Sequence, residues 1–203
     1  MRGTDELETI MSTTGKASRH QQPVLRVDDP FLAEPTVEET TRHRAYRFTL
    51  AAIRLSLGWV FVWAFLDKMF GLGHETPNAG AWINGGSPTA GFLGKATVGP
   101  FASVYQSMAG DTWVNIAFMF ALAAIGVALM LGITMRLAAA GGAVLLVMMW
   151  TAVLPPDNNP FMDYHLIDAL VLVVLALTGA GRTLGLGRRW ERISVVNRHG
   201  ILH

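Results

Sequence analysis

From about residue 46 onward the chain alternates between long apolar runs and polar connectors. Four of the runs reach membrane-spanning length, about 20 residues with a tolerated range of about 17–25. They lie at about 48–66, 113–133, 137–154 and 164–181. The second and third contain no charged residue, whereas an amphipathic helix facing water carries a polar side. The first holds Arg54, and the fourth holds Asp168 before the run ALVLVVLALTGAG. The pattern predicts an all-α integral membrane protein built as a four-transmembrane-helix bundle, in contact with the lipid bilayer.

The connectors are unequal. The first loop, about 67–112, exceeds the roughly 12–15 residues of a plain connection, so a structured loop folding back on the bundle is expected. Gly85, Gly86, Ser87 and Pro88 mark a turn in it. Ser87 or Thr89 is placed to cap an interfacial helix through GKATVGPFASVYQSMAG. Trp82, Phe92, Phe101, Tyr105 and Trp113 suit the headgroup level.

Ahead of the first span, residues 1–45 show no apolar period and include Pro23, Pro30 and Pro35. Residues 1–41 hold 8 of the 15 acidic residues and 4 of the 16 basic ones, which predicts a disordered polar tail. The first residues also lack the apolar core of a signal peptide, placing this tail on the synthesis side.

Composition fits this division. The 203 residues are 51% hydrophobic and only 15% charged, against about 25% charged in soluble domains. The net charge of +1 gives no field for nucleic acid, but the 162 residues after the tail hold 12 bases and 7 acids, about +5. Those bases are asymmetric. Arg42, Arg44, Arg47, Arg136, Arg182, Arg188, Arg189, Arg192 and Arg198 fall at one end of the predicted bundle, while the other end has Lys68 and Lys95 among Asp67, Glu75, Asp111, Asp157 and Asp163. The positive-inside rule then places both termini in the cytoplasm, with 186–203 as a basic cytoplasmic tail after a membrane domain at 46–185.

The absence of Cys excludes thiol relays and Cys-ligated iron–sulfur or zinc sites within the chain. Of the six His, His20, His43, His199 and His203 lie in the tails. No pair faces another at mid-span, so neither a haem nor a metal site is expected, and no nucleotide-binding pattern occurs. Ionisable residues inside a span are costly and become functional candidates. Arg54 lies roughly 10 Å into the first helix, where it either meets partners or snorkels to the headgroups. Arg54, Phe61 and Lys68, spaced by seven, form a stripe expected to face the bundle, and Lys68 is placed to pair with Asp168. The third loop, LPPDNNPFMDYH, gathers further polar groups. His165 with Asp163 or Asp168 has the composition of a proton relay, the catalytic set for quinone reduction. Arg54, Lys68, Trp63, Asn158 and Asn159 are the corresponding substrate- or quinone-binding candidates. The blander assignment is an interhelical turn capped by Asn and Asp, with Trp63 and Trp59 packing.

The segments RLSLGWVFVWAFLDKMFGL, WINGGSPTAGFL, PPDNNPFMDYH and GLGRRWE, in that order, resemble the DoxX/DoxD-like family of bacterial membrane proteins over about residues 46–195. The resemblance implies a four-helix protein of the bacterial plasma membrane. Some members are subunits of quinone-linked thiosulfate dehydrogenases, which oxidise thiosulfate to tetrathionate with quinone as the diffusible acceptor and a small second subunit as partner. A membrane-embedded redox subunit of that kind is therefore one expectation. A non-catalytic anchor or assembly partner of a redox complex is the second, and a small-solute carrier the third. Gly126, Gly132, Gly141 and Gly142 permit close helix contact within the bundle or in a homo-oligomer.

Overall fold

A computed structural model describes residues 37–157 and 159–202, and every regular element among them is helical. The main helices are α1 (Val37–Phe70), α2 (Ala102–Ser107), α3 (Thr112–Leu131), α4 (Met135–Ala152) and α5 (Tyr164–Leu177), followed by the short α6 (Gly187–Trp190) and α7 (Ser194–Arg198). Three of them are long and apolar enough to cross a membrane: α1 over Thr40–Phe70, α3 and α4. The fourth apolar helix, α5, is shorter at 14 residues. Residues from Glu39 onward form one compact unit.

Helix boundaries follow local chemistry. The disordered tail expected at 1–45 lies outside the described residues as far as 36, but 37–45 belongs to α1. That stretch has neither Gly nor Pro, so the helix continues beyond its apolar portion to reach 34 residues. At the end of α3, Gly132 adopts φ +70° and closes the helix. The run expected to continue to residue 181 stops at Leu177. There the Thr178 hydroxyl donates back to the Val174 carbonyl (2.7 Å), Gly179 turns at φ +62°, and a 3-10 turn, Ala180–Arg182, follows.

The core is built by Phe61 of α1, Met119, Leu122, Ile125 and Leu129 of α3, Leu146 of α4, and Leu172 and Leu175 of α5. Glycine sets the closest crossings. A Cβ on Gly126 would meet the Val62 backbone nitrogen at 2.9 Å, one on Gly58 the Met130 nitrogen at 3.1 Å, and one on Gly142 the Leu172 side chain at 2.7 Å. Small residues thus seat α3 on α1 and α5 on α4. The outward faces are equally apolar: Phe120 is 73% and Leu177 82% exposed. Only 39% of the most hydropathic stretch of α3 is buried, yet it holds no charge, as expected where lipid is the solvent.

Candidate functional site

At the acidic end of the bundle the polar candidates form two local groups, one at the end of α1 and one at the start of α5. Asp67 is buried at the last turn of α1, and its carboxylate accepts from the backbone N–H groups of His74 (3.3 Å), Glu75 (3.1 Å) and Thr76 (2.8 Å). The turn at 71–76 is therefore wrapped around one carboxylate. This brings Glu75 to Lys68, whose Nζ lies 3.2 Å from Glu75 Oε2. Lys68 consequently does not form the expected pair with Asp168, which is half-buried and makes no side-chain hydrogen bond or ion pair among the described residues. The same turn sets the His74 ring edge-on to Trp63 at 5.1 Å, while Trp63 lies 5.9 Å from Trp59, so Trp63 belongs to an aromatic stack.

The expected His165–Asp163 unit forms. Asp163 caps α5, one carboxylate oxygen accepting from the Leu166 N–H (3.3 Å) and the other lying 2.6 Å from His165 Nδ1. Tyr164 stacks on the imidazole at 4.0 Å between centroids. A carboxylate at Nδ1 holds the proton there, and Nε2 is buried without a partner among the described residues. Asp168 stands one turn further along the helix. Asn159 Oδ1 accepts from the N–H groups of Phe161 (2.9 Å) and Met162 (3.0 Å), so it shapes the turn. Asn158 lies outside the described residues.

Arg54 has different work from the ligand binding expected of it. It is fully buried, and its guanidinium donates to four backbone carbonyls: Leu129 (2.6 Å), Met130 (3.3 Å), Thr183 (3.3 Å) and Leu184 (2.8 Å). The first two belong to the last turn of α3, whose carbonyls have no intrahelical partners and favour a cation. Snorkelling is likewise not observed. Gly132 makes room, since a Cβ there would lie 2.5 Å from Arg54 Nη1, and the Leu186 N–H donates to Leu131 (2.7 Å) beside it. The guanidinium clamps the glycine-rich segment at 183–187 onto the end of α3.

The first loop holds what the charge pattern does not reveal. Asn115, buried in the first turn of α3, accepts through Oδ1 from Ser87 Oγ (3.0 Å), the Thr89 N–H (3.1 Å) and Thr89 Oγ1 (2.7 Å), and donates through Nδ2 to Gly110 (3.2 Å). The single helix expected after Ser87 or Thr89 is broken into a π turn (Phe92–Ala96), a 3-10 turn (Gly99–Phe101) and α2, because Gly99 (φ +76°) and Pro100 interrupt it. Val98 N–H donates to Ala152 (3.0 Å), which pins the loop to the end of α4. Beneath this roof, between α3 and α4, lies an apolar cavity of about 230 Å³ walled by Phe92, Leu93, Tyr105, Phe118, Met148 and Met149, among others. The Tyr105 hydroxyl is 2.6 Å from Thr151 Oγ1.

Asn115 and Asp67 are the two polar residues whose roles charge and spacing leave unread. The available signals are an amide inside the otherwise apolar TWVNIAF and an aspartate followed closely by Gly71 and Gly73. No family model, curated protein or solved structure matches the chain.

Proposed function

We propose that the chain is a subunit of a quinone-linked redox complex in the bacterial plasma membrane, spanning it four times with both termini in the cytoplasm. The apolar cavity under the first loop carries this reading, as the place where a quinone ring and the start of its tail lodge. Its walls suit such a group. Phe92 and Phe118 offer flat faces, and Met148 and Met149 adapt to its outline. The helix α5, extended by the turn at 180–182, supplies the fourth span, and the arginines at the end holding Arg136, Arg182 and Arg188 orient the bundle.

The resemblance to DoxX/DoxD-like proteins supplies the substrate. Two thiosulfate ions each lose one electron to form tetrathionate, and quinone takes the two electrons with two protons to become hydroquinone. Within this chain two of the anion-attracting candidates are engaged, Arg54 by carbonyls and Lys68 by Glu75, while Lys95 stands exposed on the first loop. Sulfur oxidation therefore takes place with a second subunit, and this chain contributes the membrane and quinone side. The same engagement favours the second reading, a non-catalytic anchor.

The test uses the full chain, purified alone and with a co-purifying small subunit. A short-chain quinone is expected to raise the thermal midpoint of the chain. Ala121→Phe, which fills the cavity, abolishes that rise, and thiosulfate-dependent quinone reduction appears only with the partner. Equal behaviour of the wild type and the filled variant removes the quinone site. Binding without reduction under any pairing leaves the anchor.

A further inference from the structure

The basic end of the bundle holds a second cavity, of about 340 Å³, between α1 and the segment that follows α5. Its polar wall comprises Tyr46, Arg47, Thr178, Arg182, Thr183 and Arg188. They come from several parts of the chain. Tyr46 and Arg47 extend from α1, Thr178 follows the end of α5, and Arg182 closes the 3-10 turn. Arg188 is delivered by α6, which can approach because a Cβ on Gly187 would meet the Gly181 carbonyl oxygen at 2.7 Å. Arg54 holds the backbone of Thr183 and Leu184 from beneath. The cavity therefore rests on a fixed floor.

Among the described residues, its charge is only partly balanced. Arg182 Nε contacts both carboxylate oxygens of Glu191 (2.9 and 3.1 Å), so that pair is neutral. Arg47 uses only Nε, donating to Thr183 Oγ1 (3.2 Å), and Arg188 has no side-chain partner among the described residues. Two guanidinium groups thus border one cavity lined by hydroxyls, a donor set suited to phosphate oxygens. One turn deeper, the surface becomes apolar: Ile53 on α1 and Val174 on α5 are exposed. Beside the cavity, Leu184 (61% exposed) and Leu186 also point outward, as expected of a segment lying at a membrane surface. A ligand that fits carries a phosphate at the rim and alkyl chains below it.

We propose that this cavity binds the phosphodiester headgroup of an anionic phospholipid, with Arg47 and Arg188 gripping the phosphate and the acyl chains lying along Ile53 and Val174. Basic pockets beside membrane helices recognise lipid headgroups by this chemistry. The site is independent of the quinone reading, since it shares no residue with the apolar cavity.

The experiment titrates full-length protein in phosphatidylcholine–detergent micelles with phosphatidylglycerol and reads the thermal midpoint. Phosphatidylglycerol is expected to raise the midpoint saturably, and added phosphatidylcholine is not. Arg47→Gln/Arg188→Gln should weaken the half-saturation by tenfold or more, the loss expected when even one charge-assisted hydrogen bond to a phosphate is removed. Arg47 and Arg188 are both exposed and lose only the exposed Arg47–Thr183 hydrogen bond, so the lipid-free midpoint should move little. Arg189→Gln/Arg192→Gln removes the same charge from outside the cavity and should shift half-saturation by less than threefold. An equal loss in both double variants would reduce the effect to a general basic field and overturn the site. Stabilisation by inorganic phosphate alone, at the same anion concentration, would assign the cavity to a soluble anion and overturn the lipid. No difference between the two phospholipids would overturn it as well.

Discussion

Replacing Arg54 with Met tests the clamp at the basic end. Met preserves the apolar stem and removes every donor. Two of the four hydrogen bonds are short, 2.6 Å to Leu129 and 2.8 Å to Leu184, and those from a charged donor contribute about 1.5–3 kcal/mol each. The two at 3.3 Å add little. The expected loss is therefore about 3–6 kcal/mol. At about 2–4 °C per kcal/mol for a chain of this size, the midpoint in detergent falls by roughly 6–24 °C. Arg54→Lys keeps the charge, but a single ammonium cannot span carbonyls on α3 and on the 183–184 segment together, so it should recover about half of the loss. Gly132→Ala should reproduce much of the effect without altering any charge, because its Cβ would sit 2.5 Å from Arg54 Nη1 and its φ is +70°. Limited proteolysis supplies the second readout, with cleavage near 183–187 accelerating in Arg54→Met. A Met variant melting within about 2 °C of wild type, with unchanged cleavage, would refute the clamp.

Asn115→Ala removes the acceptor for Ser87 and Thr89 and the donor to Gly110; hydrogen exchange across 87–110 should quicken, with about 2–3 kcal/mol lost in thermal unfolding. Asn115→Asp keeps the acceptor and should lie between the two. Gly126→Leu should prevent recovery of folded protein in size-exclusion chromatography, since even its Cβ would press on Val62, whereas Gly141→Ala, whose nearest neighbour would be Ile125 at 3.9 Å, should melt within about 0.5 kcal/mol of wild type. Asp163→Ala should cost about 1 kcal/mol through the lost cap of α5, measured by thermal unfolding, and should free the His165 ring to change its NMR chemical shift.

The long apolar runs were legible because hydropathy over about 20 residues is a summed property, tolerant of detail. The ends of α3 and α4 fall within two residues of their expected positions, whereas α5 stops four residues early, at a local Thr178–Val174 hydrogen bond that hydropathy does not encode. The Asp163–His165 contact was legible for the opposite reason: two residues apart at a helix start, they meet through local geometry. Lys68 shows where spacing fails. The spacing suggests Asp168 as its partner, but a carboxylate seven residues along the chain, Glu75, is carried to it by the turn around Asp67. Arg54 was singled out correctly as costly, but its partners are backbone carbonyls, which have no residue identity for a sequence pattern to expose. The apolar cavity depends on how a broken loop settles over two helices, information distributed among Asn115, Gly99 and Val98 and absent from any one of them.

The Arg54 clamp also sets an order of assembly. The carbonyls that receive the guanidinium lie 75 and 130 residues further along the chain, at Leu129 and Leu184. At about 5–20 residues per second, roughly 7–26 s of synthesis separates Arg54 from its last partner. Until then α1 carries a positive charge whose set of partners is incomplete and whose insertion without partners costs about 2.5–3.5 kcal/mol. The helix α1 is thus fully anchored only after the 183–184 segment has been made. A ribosome stalled or a chain truncated before residue 184 leaves α1 without its second anchor, so a quality-control protease has a simple mark of unfinished product: an arginine still within reach of water.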